Sequence, residues 1–71
     1  MQWTRMTDGS CYAVCTSGGV RVSYRVYRIY DKGNWYSWML EINGKDADAR
    51  RTAAAAKQAA RRHFASLGRE V

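Results

Sequence analysis

Residues 20–44 read VRVSYRVYRIYDKGNWYSWMLEING. From Val20 to Tyr30 nearly every side chain is β-branched, aromatic or arginine, the composition of a long strand. Asp31-Lys32-Gly33-Asn34 is a turn. The chain returns as a second strand over residues 35–42, which Asn43-Gly44 ends. Alternation assigns the faces. In the first strand Val20, Val22, Tyr24 and Val26 point one way, and Arg21, Ser23 and Arg25 the other. In the second, Tyr36, Trp38, Leu40 and Ile42 form the better core face, opposite Trp35, Ser37, Met39 and Glu41. Tyr27 and Ile29 place apolar side chains on the arginine side. Either a β-bulge near Val26 and Tyr27 shifts the phase, or that face is aromatic because it binds a partner.

Upstream, residues 2–7 can form a short strand or a strand-like lead-in. Asp8-Gly9 marks a turn, residues 11–16 a compact strand, and Ser17-Gly18-Gly19 a second turn, since paired glycines take positive φ freely. Downstream, the composition changes to alanine and arginine, and a helix is predicted over about residues 48–67. Asp46 or Asp48 can cap it, with Thr52 a weaker candidate. Ala53, Ala56, Ala60, Phe64 and Leu67 recur at spacings of three and four as one apolar stripe, and Gly68 suits the C-terminal stop. The expected fold is therefore α+β, one domain spanning residues 1–71. It has an antiparallel sheet of three or four strands, with one C-terminal helix packed on one face. A chain of 71 residues buries only about 60% of its unfolded surface, so the core is one thin layer. Its expected members are Val22, Tyr24, Val26, Trp38, Leu40, Ile42, Ala53, Ala56, Ala60, Phe64 and Leu67. Small helix residues against large sheet aromatics fill such a layer.

Twelve Lys and Arg against six Asp and Glu leave a net charge of +6. That excess attracts nucleic acid, an anionic membrane or an acidic protein face. It also keeps a small domain soluble, and the two readings stand side by side. On the predicted helix Arg50, Lys57 and Arg61 form one row and Arg51, Arg62 and Arg69 the next, with no acidic residue from 49 to 69. Like charges at this spacing cost a few tenths of a kcal/mol per pair, which a negatively charged partner would offset. A solvated face in an arginine-rich and alanine-rich protein is the alternative. On the long strand Arg21, Arg25, Arg28 and Lys32 interleave with Tyr24, Tyr27 and Tyr30. Arginine neutralises phosphate, and tyrosine stacks on bases; the same two residue types dominate protein–protein hot spots. Cross-strand aromatic pairing within the sheet is the structural alternative.

Catalytic chemistry finds little support. His63 is the one histidine and reads as a helix-surface residue. No nucleophile stands with a base, no carboxylate pair has a useful spacing, and no glycine-rich phosphate loop occurs. Cys11 and Cys15 lie ~13 Å apart if their run is a strand, beyond the ~7 Å that a disulfide spans. Together with His63 they fall short of the usual metal-ligand set, so they read as small buried apolar residues. No cofactor is expected. No stretch reaches the ~18–20 apolar residues of a membrane span, and the expected location is the cytoplasm of a bacterial host cell.

The segments YRVYRIYDKGNWYSWMLEINGK (24–45) and TAAAAKQAARRHFASLG (52–68) resemble small β-β-β-α proteins encoded by phages and other mobile elements. In these a tryptophan-bearing strand half precedes a helix of the form T-x-x-x-A-K-x-x-A-x-x-H. Some short phage proteins of this size are anti-CRISPR inhibitors. The element order is also similar to three-stranded-sheet DNA-binding domains such as the arm-binding domain of phage integrases. The resemblance implies a non-enzymatic accessory role. Anti-CRISPR proteins that mimic DNA are acidic and this chain is basic, so an acidic protein face, guide RNA or target DNA suits it better.

Two functions follow as expectations. The first is binding to nucleic acid or a bacterial nucleoprotein complex, through a basic helix face and an Arg/Tyr sheet face. Its candidate residues are Arg21, Arg25, Tyr27, Arg28, Lys32, Trp35, Arg50, Arg51, Lys57, Arg61 and Arg62. The second is an anti-CRISPR-type inhibitor acting by protein–protein contact through Tyr and Trp anchors. Free sheet edges allow a homodimer under either.

Overall fold

The computed structural model describes residues 1–30 and 36–67. The chain forms a five-stranded antiparallel meander followed by one helix. The strands, in chain and spatial order, are β1 (Thr4–Arg5), β2 (Cys11–Ser17), β3 (Val20–Tyr30), β4 (Tyr36–Ile42) and β5 (Lys45–Arg50); α1 spans Ala53–Leu67.

The α+β architecture follows the alternating pattern, but the strand number is five rather than three or four. The extra strand is β5, which occupies the first residues of the predicted helix. Its cause is the Asn43-Gly44 turn, where both residues take positive φ (52° and 84°). That is the two-residue hairpin geometry matching strand twist, so it folds the chain back on β4 instead of ending the sheet. Asn43 is fixed across β3: its N–H donates to the Ser23 carbonyl at 2.9 Å, and its Oδ1 accepts from the Ser23 N–H at 3.0 Å. The helix starts at Ala53, not near residue 48, and Thr52 is its cap. Thr52 Oγ1 accepts from the Ala55 N–H at 3.1 Å, leaving Asp46 and Asp48 within β5.

β3 pairs continuously with β4 from Tyr24↔Ile42 to Tyr30↔Tyr36, so no bulge interrupts it at Val26 and Tyr27. The register shift lies instead in β4–β5, between Leu40 and Glu41. The unbroken alternation puts Tyr27 on the Arg25 side of the sheet, and Arg28 on the same side as Trp38.

The helix packs across β3, β4 and β5. Tyr24, Val26, Leu40, Ala56 and Ala60 are buried almost completely, joined by Val22 and Cys15. Trp3, Trp38, Ile42, Ala53, Ala59, Phe64 and Leu67 close the margin. Cys11 and Cys15 are free and buried on this face, beside Ala13. Tyr24 is the largest fully buried side chain; its hydroxyl shares a 2.7 Å hydrogen bond with His63 Nδ1, and burial raises its pKa. His63 is thus half-buried at the seam rather than a free surface residue. No helix among the described residues is long and apolar enough to cross a membrane.

The seam gives a sharp expectation. Ala56→Arg or Ala60→Arg forces a long charged side chain into a fully buried position, at a cost of about 3 kcal/mol or more. That is most of the stability of a small domain, so circular dichroism should show no cooperative melt. Ala54→Arg, on the exposed side of the same helix, should melt like the parent. A parent-like transition in Ala56→Arg would contradict this packing.

Candidate functional site

The helix covers β3 to β5 and leaves the β1 end of its own face open. Beside its first turn, Ala53 and Lys57 face Trp3 and Arg5 across a hollow of about 250 Å³ that Trp38 closes at one end. A second hollow of about 250 Å³ borders the first at Gly9 and Trp38. It exists because β3 outruns its neighbour: the last β2 pairing is Cys11↔Val26, so Tyr27 to Tyr30 have no β2 partner on that side. The β1–β2 turn at Asp8, Gly9 and Ser10 forms its other wall, and Arg25, Tyr27, Arg28 and Tyr30 line the strand side. The two hollows make one groove around the end of the sheet.

Aromatic and cationic side chains meet along this groove. Lys57 Nζ lies 5.7 Å from the Trp3 ring centre, and the Arg28 guanidinium lies 5.0 Å from that of Trp38. Arg28 and Trp38 are cross-strand partners, which places them together. Arg25 sits 4.5 Å from the Tyr27 ring centre. Among the described residues Arg5 and Lys57 form no ion pair. The helix start adds no counter-charge, since its first turn holds no acidic residue.

Among the described residues the four acidic side chains are all engaged, and one of them, Asp8, stands in the groove wall. Asp8 accepts hydrogen bonds from the Ser10 N–H (2.9 Å) and Oγ (2.6 Å), and approaches Arg25 at 3.8 Å. The Ser10 side-chain bond, then its backbone bond, hold the Asp8 carboxyl below its ordinary value, with a smaller contribution from Arg25. Glu41 meets Arg25 at 3.6 Å. Asp46 accepts from the Tyr27 hydroxyl at 2.8 Å, a bond that raises the Tyr27 pKa and keeps the phenol protonated. Asp48 binds Arg50 at 2.7 and 2.8 Å.

The residues expected to bind a partner do not form one surface. Arg50 lies in β5 and Arg51 in the bend before the helix, so neither belongs to a basic helix row. Lys57 and Arg62 stand about 140° apart around the helix: Lys57 leans on Trp3, whereas Arg62 borders a smaller hollow with Arg50 and Gln58. Arg61 is exposed. On β3 the arginines divide between the two faces, Arg21 and Arg25 on one and Arg28 on the other. Arg21 lies opposite Thr16, far from the groove. Arg25, Tyr27, Arg28 and Lys57 do converge on the groove. Lys32 and Trp35, together with Arg69, fall outside the described residues. Trp3, Arg5 and Trp38 were not among the expected binding residues. Trp3 precedes and Arg5 ends a two-residue strand, too short for periodicity to reveal. Trp38 alternates correctly onto the core face, and only the late helix start leaves its edge uncovered.

No protein-family model, curated protein or solved structure matches the chain.

The turn that walls the groove makes a pH prediction. A carboxyl with a depressed folded pKa contributes stability above its ordinary value of 3.8, and loses that contribution as pH falls through the folded value. The parent should therefore melt above Asp8→Asn at neutral pH, and the difference should close on acidification to about pH 2. A difference independent of pH would show that the charge on Asp8 contributes nothing to the turn.

Proposed function

We propose that this chain is a small non-enzymatic binding protein for nucleic acid, free or within a nucleic-acid-handling complex, with the groove at the end of the sheet as its contact. The observation that carries the reading is the pairing of tryptophan with cation along one groove: Trp3 with Lys57, and Trp38 with Arg28. A cation over a half-exposed ring is worth about 0.5–1 kcal/mol, whereas a base stacked on an aromatic side chain is worth about 1–3 kcal/mol. Exchange of the cation for a base is thus favourable, and at Trp3 the released Lys57 is already beside the phosphate it would neutralise. Both halves of a nucleotide find a partner within the same few ångströms.

The charge distribution supports the same place. Arg25 and Arg50 are committed to carboxylates, while Arg5 and Lys57 at the groove are not. Of the basic residues outside it, Arg61 and Arg62 are neighbours on the exposed side of the helix, and Arg21 lies on β3 opposite Thr16.

A salt titration of binding to random-sequence DNA and RNA tests this. Log affinity should fall linearly with log salt, and Arg5→Gln with Lys57→Gln should flatten the slope by about 1.4 to 1.8, for two phosphate contacts at roughly 0.7–0.9 each. Arg61→Gln with Arg62→Gln should leave the slope nearly unchanged. The reverse result would move the site to the outer helix face. No binding to either polymer at about 50 mM salt, where sequence-independent affinity is strong, would reject nucleic acid and leave a protein-directed role through the aromatic side chains.

A further inference from the structure

Resting on that reading, we infer that the groove is built for an unpaired strand, with Trp3 and Trp38 as stacking platforms for its bases, rather than for a duplex. An indole stacks on the π-face of a base, and in a duplex those faces are covered by neighbouring base pairs. Only an unstacked base can enter a hollow between Trp3 and the helix start. The two hollows of about 250 Å³ share Gly9 and Trp38 as a saddle, and Gly9, at φ 89°, places no side chain across it. A strand can therefore run from Trp3 past Trp38 to Tyr27 and Tyr30, meeting an aromatic ring at each stage.

A second observation concerns Trp3 itself. Its Nε1 is buried and has no hydrogen-bond partner. A buried N–H without an acceptor is a local deficit, so the indole is held in place by packing and Lys57 alone. Rotation toward an entering nucleotide would give this N–H a base or phosphate oxygen to bond. Trp3 is anchored through the shortest element of the fold, the two-residue β1, which leaves that movement available.

The remaining surfaces suit a duplex poorly. A helix in the major groove needs several side chains that reach base edges, and the exposed side of α1 offers Gln58 with the adjacent Arg61 and Arg62, flanked by Ala54 and Ala65. On the open sheet face Glu41 compensates Arg25 and Asp46 holds the Tyr27 hydroxyl, so phosphate gains little there.

The test uses short labelled oligonucleotides of random sequence, as single strands and as hairpin duplexes of equal composition, with anisotropy and intrinsic tryptophan emission as readouts. Single strands should bind at least about tenfold tighter and quench the emission, as base–aromatic stacking predicts. Trp3→Leu should lower single-strand affinity by about tenfold and leave duplex binding unchanged, while Trp3→Phe, which keeps a stacking ring, should retain most of it. Circular dichroism of both variants separates loss of stacking from loss of fold, and if Trp3→Leu does not fold the Trp3→Phe emission and affinity decide. Equal or tighter duplex binding without quenching would overturn the single-strand inference and leave nucleic-acid binding standing. Tight single-strand binding with no quenching and no response to Trp3→Leu would remove the groove as its site. Absence of binding to every oligonucleotide would instead be the failure of the proposed function itself.

Discussion

The fold depends on how closely one alanine-rich helix can approach one aromatic strand. Ala56 and Ala60 are fully buried against a cluster built on Tyr24, Val26 and Leu40. A methyl group is the largest side chain such a seam can take without lifting the helix, and dispersion contacts fall away steeply with even small gaps. The described residues form a single apolar layer, so none of them builds a second core that would compensate. The Tyr24 hydroxyl would be a liability at the centre of that layer. Its bond to His63 Nδ1 removes it, which is why a histidine sits on the inner flank of the helix. The ring packs edge-on to Tyr24, with centroids 5.6 Å apart, so one residue supplies both the polar partner and packing area.

Much of this layer was legible in residues 20–44 and 53–67, because both faces of β3 and β4 alternate without interruption and the helix stripe keeps its spacing. Leu40 and Ile42 reach the core by period two, Ala56, Ala60 and Phe64 by steps of four, and each pattern needs no tertiary knowledge. β5 is different. Lys45-Asp46-Ala47-Asp48-Ala49-Arg50 alternates only aspartate with alanine and holds no β-branched side chain, and alone it favours a helix start. It becomes a strand because the Asn43-Gly44 turn returns the chain along β4, and because Tyr27 and Arg50 satisfy its aspartates. Tertiary pairing outweighed local propensity there, as it commonly does at a sheet edge. Its charged side chains also blunt that edge against further strand addition.

The groove was less legible, for related reasons. It arises from mismatched lengths: β3 outruns β2, β1 is two residues long, and the helix begins after β5 rather than in place of it. None of these mismatches is a motif. Arg25 and Arg28 look equivalent in the sequence, three positions apart on one strand, yet alternation sends them to opposite faces. Arg25 is held between Asp8 and Glu41, whereas Arg28 lies over Trp38. Net charge said that a positive surface exists; the pairing of Asp8, Glu41, Asp46 and Asp48 shows where it is reduced.

The late helix start links the fold to the groove. A helix begun at residue 48 would extend about 7.5 Å beyond Ala53. Ala53 already lines the hollow beside Trp3 and Trp38, so that extra length would take up the space next to it and bring Asp48 to the helix N-terminus. Both changes work against an anionic ligand: the aromatic edges would be covered, and a carboxylate would occupy the favourable end of the helix dipole. The Asn43-Gly44 turn prevents this by spending residues 45–50 on a strand, where Asp48 is neutralised by Arg50. Thr52, uncharged, caps the helix instead. One two-residue turn therefore completes the sheet, sets where the helix begins, and leaves the tryptophans open beside a helix terminus without acidic side chains.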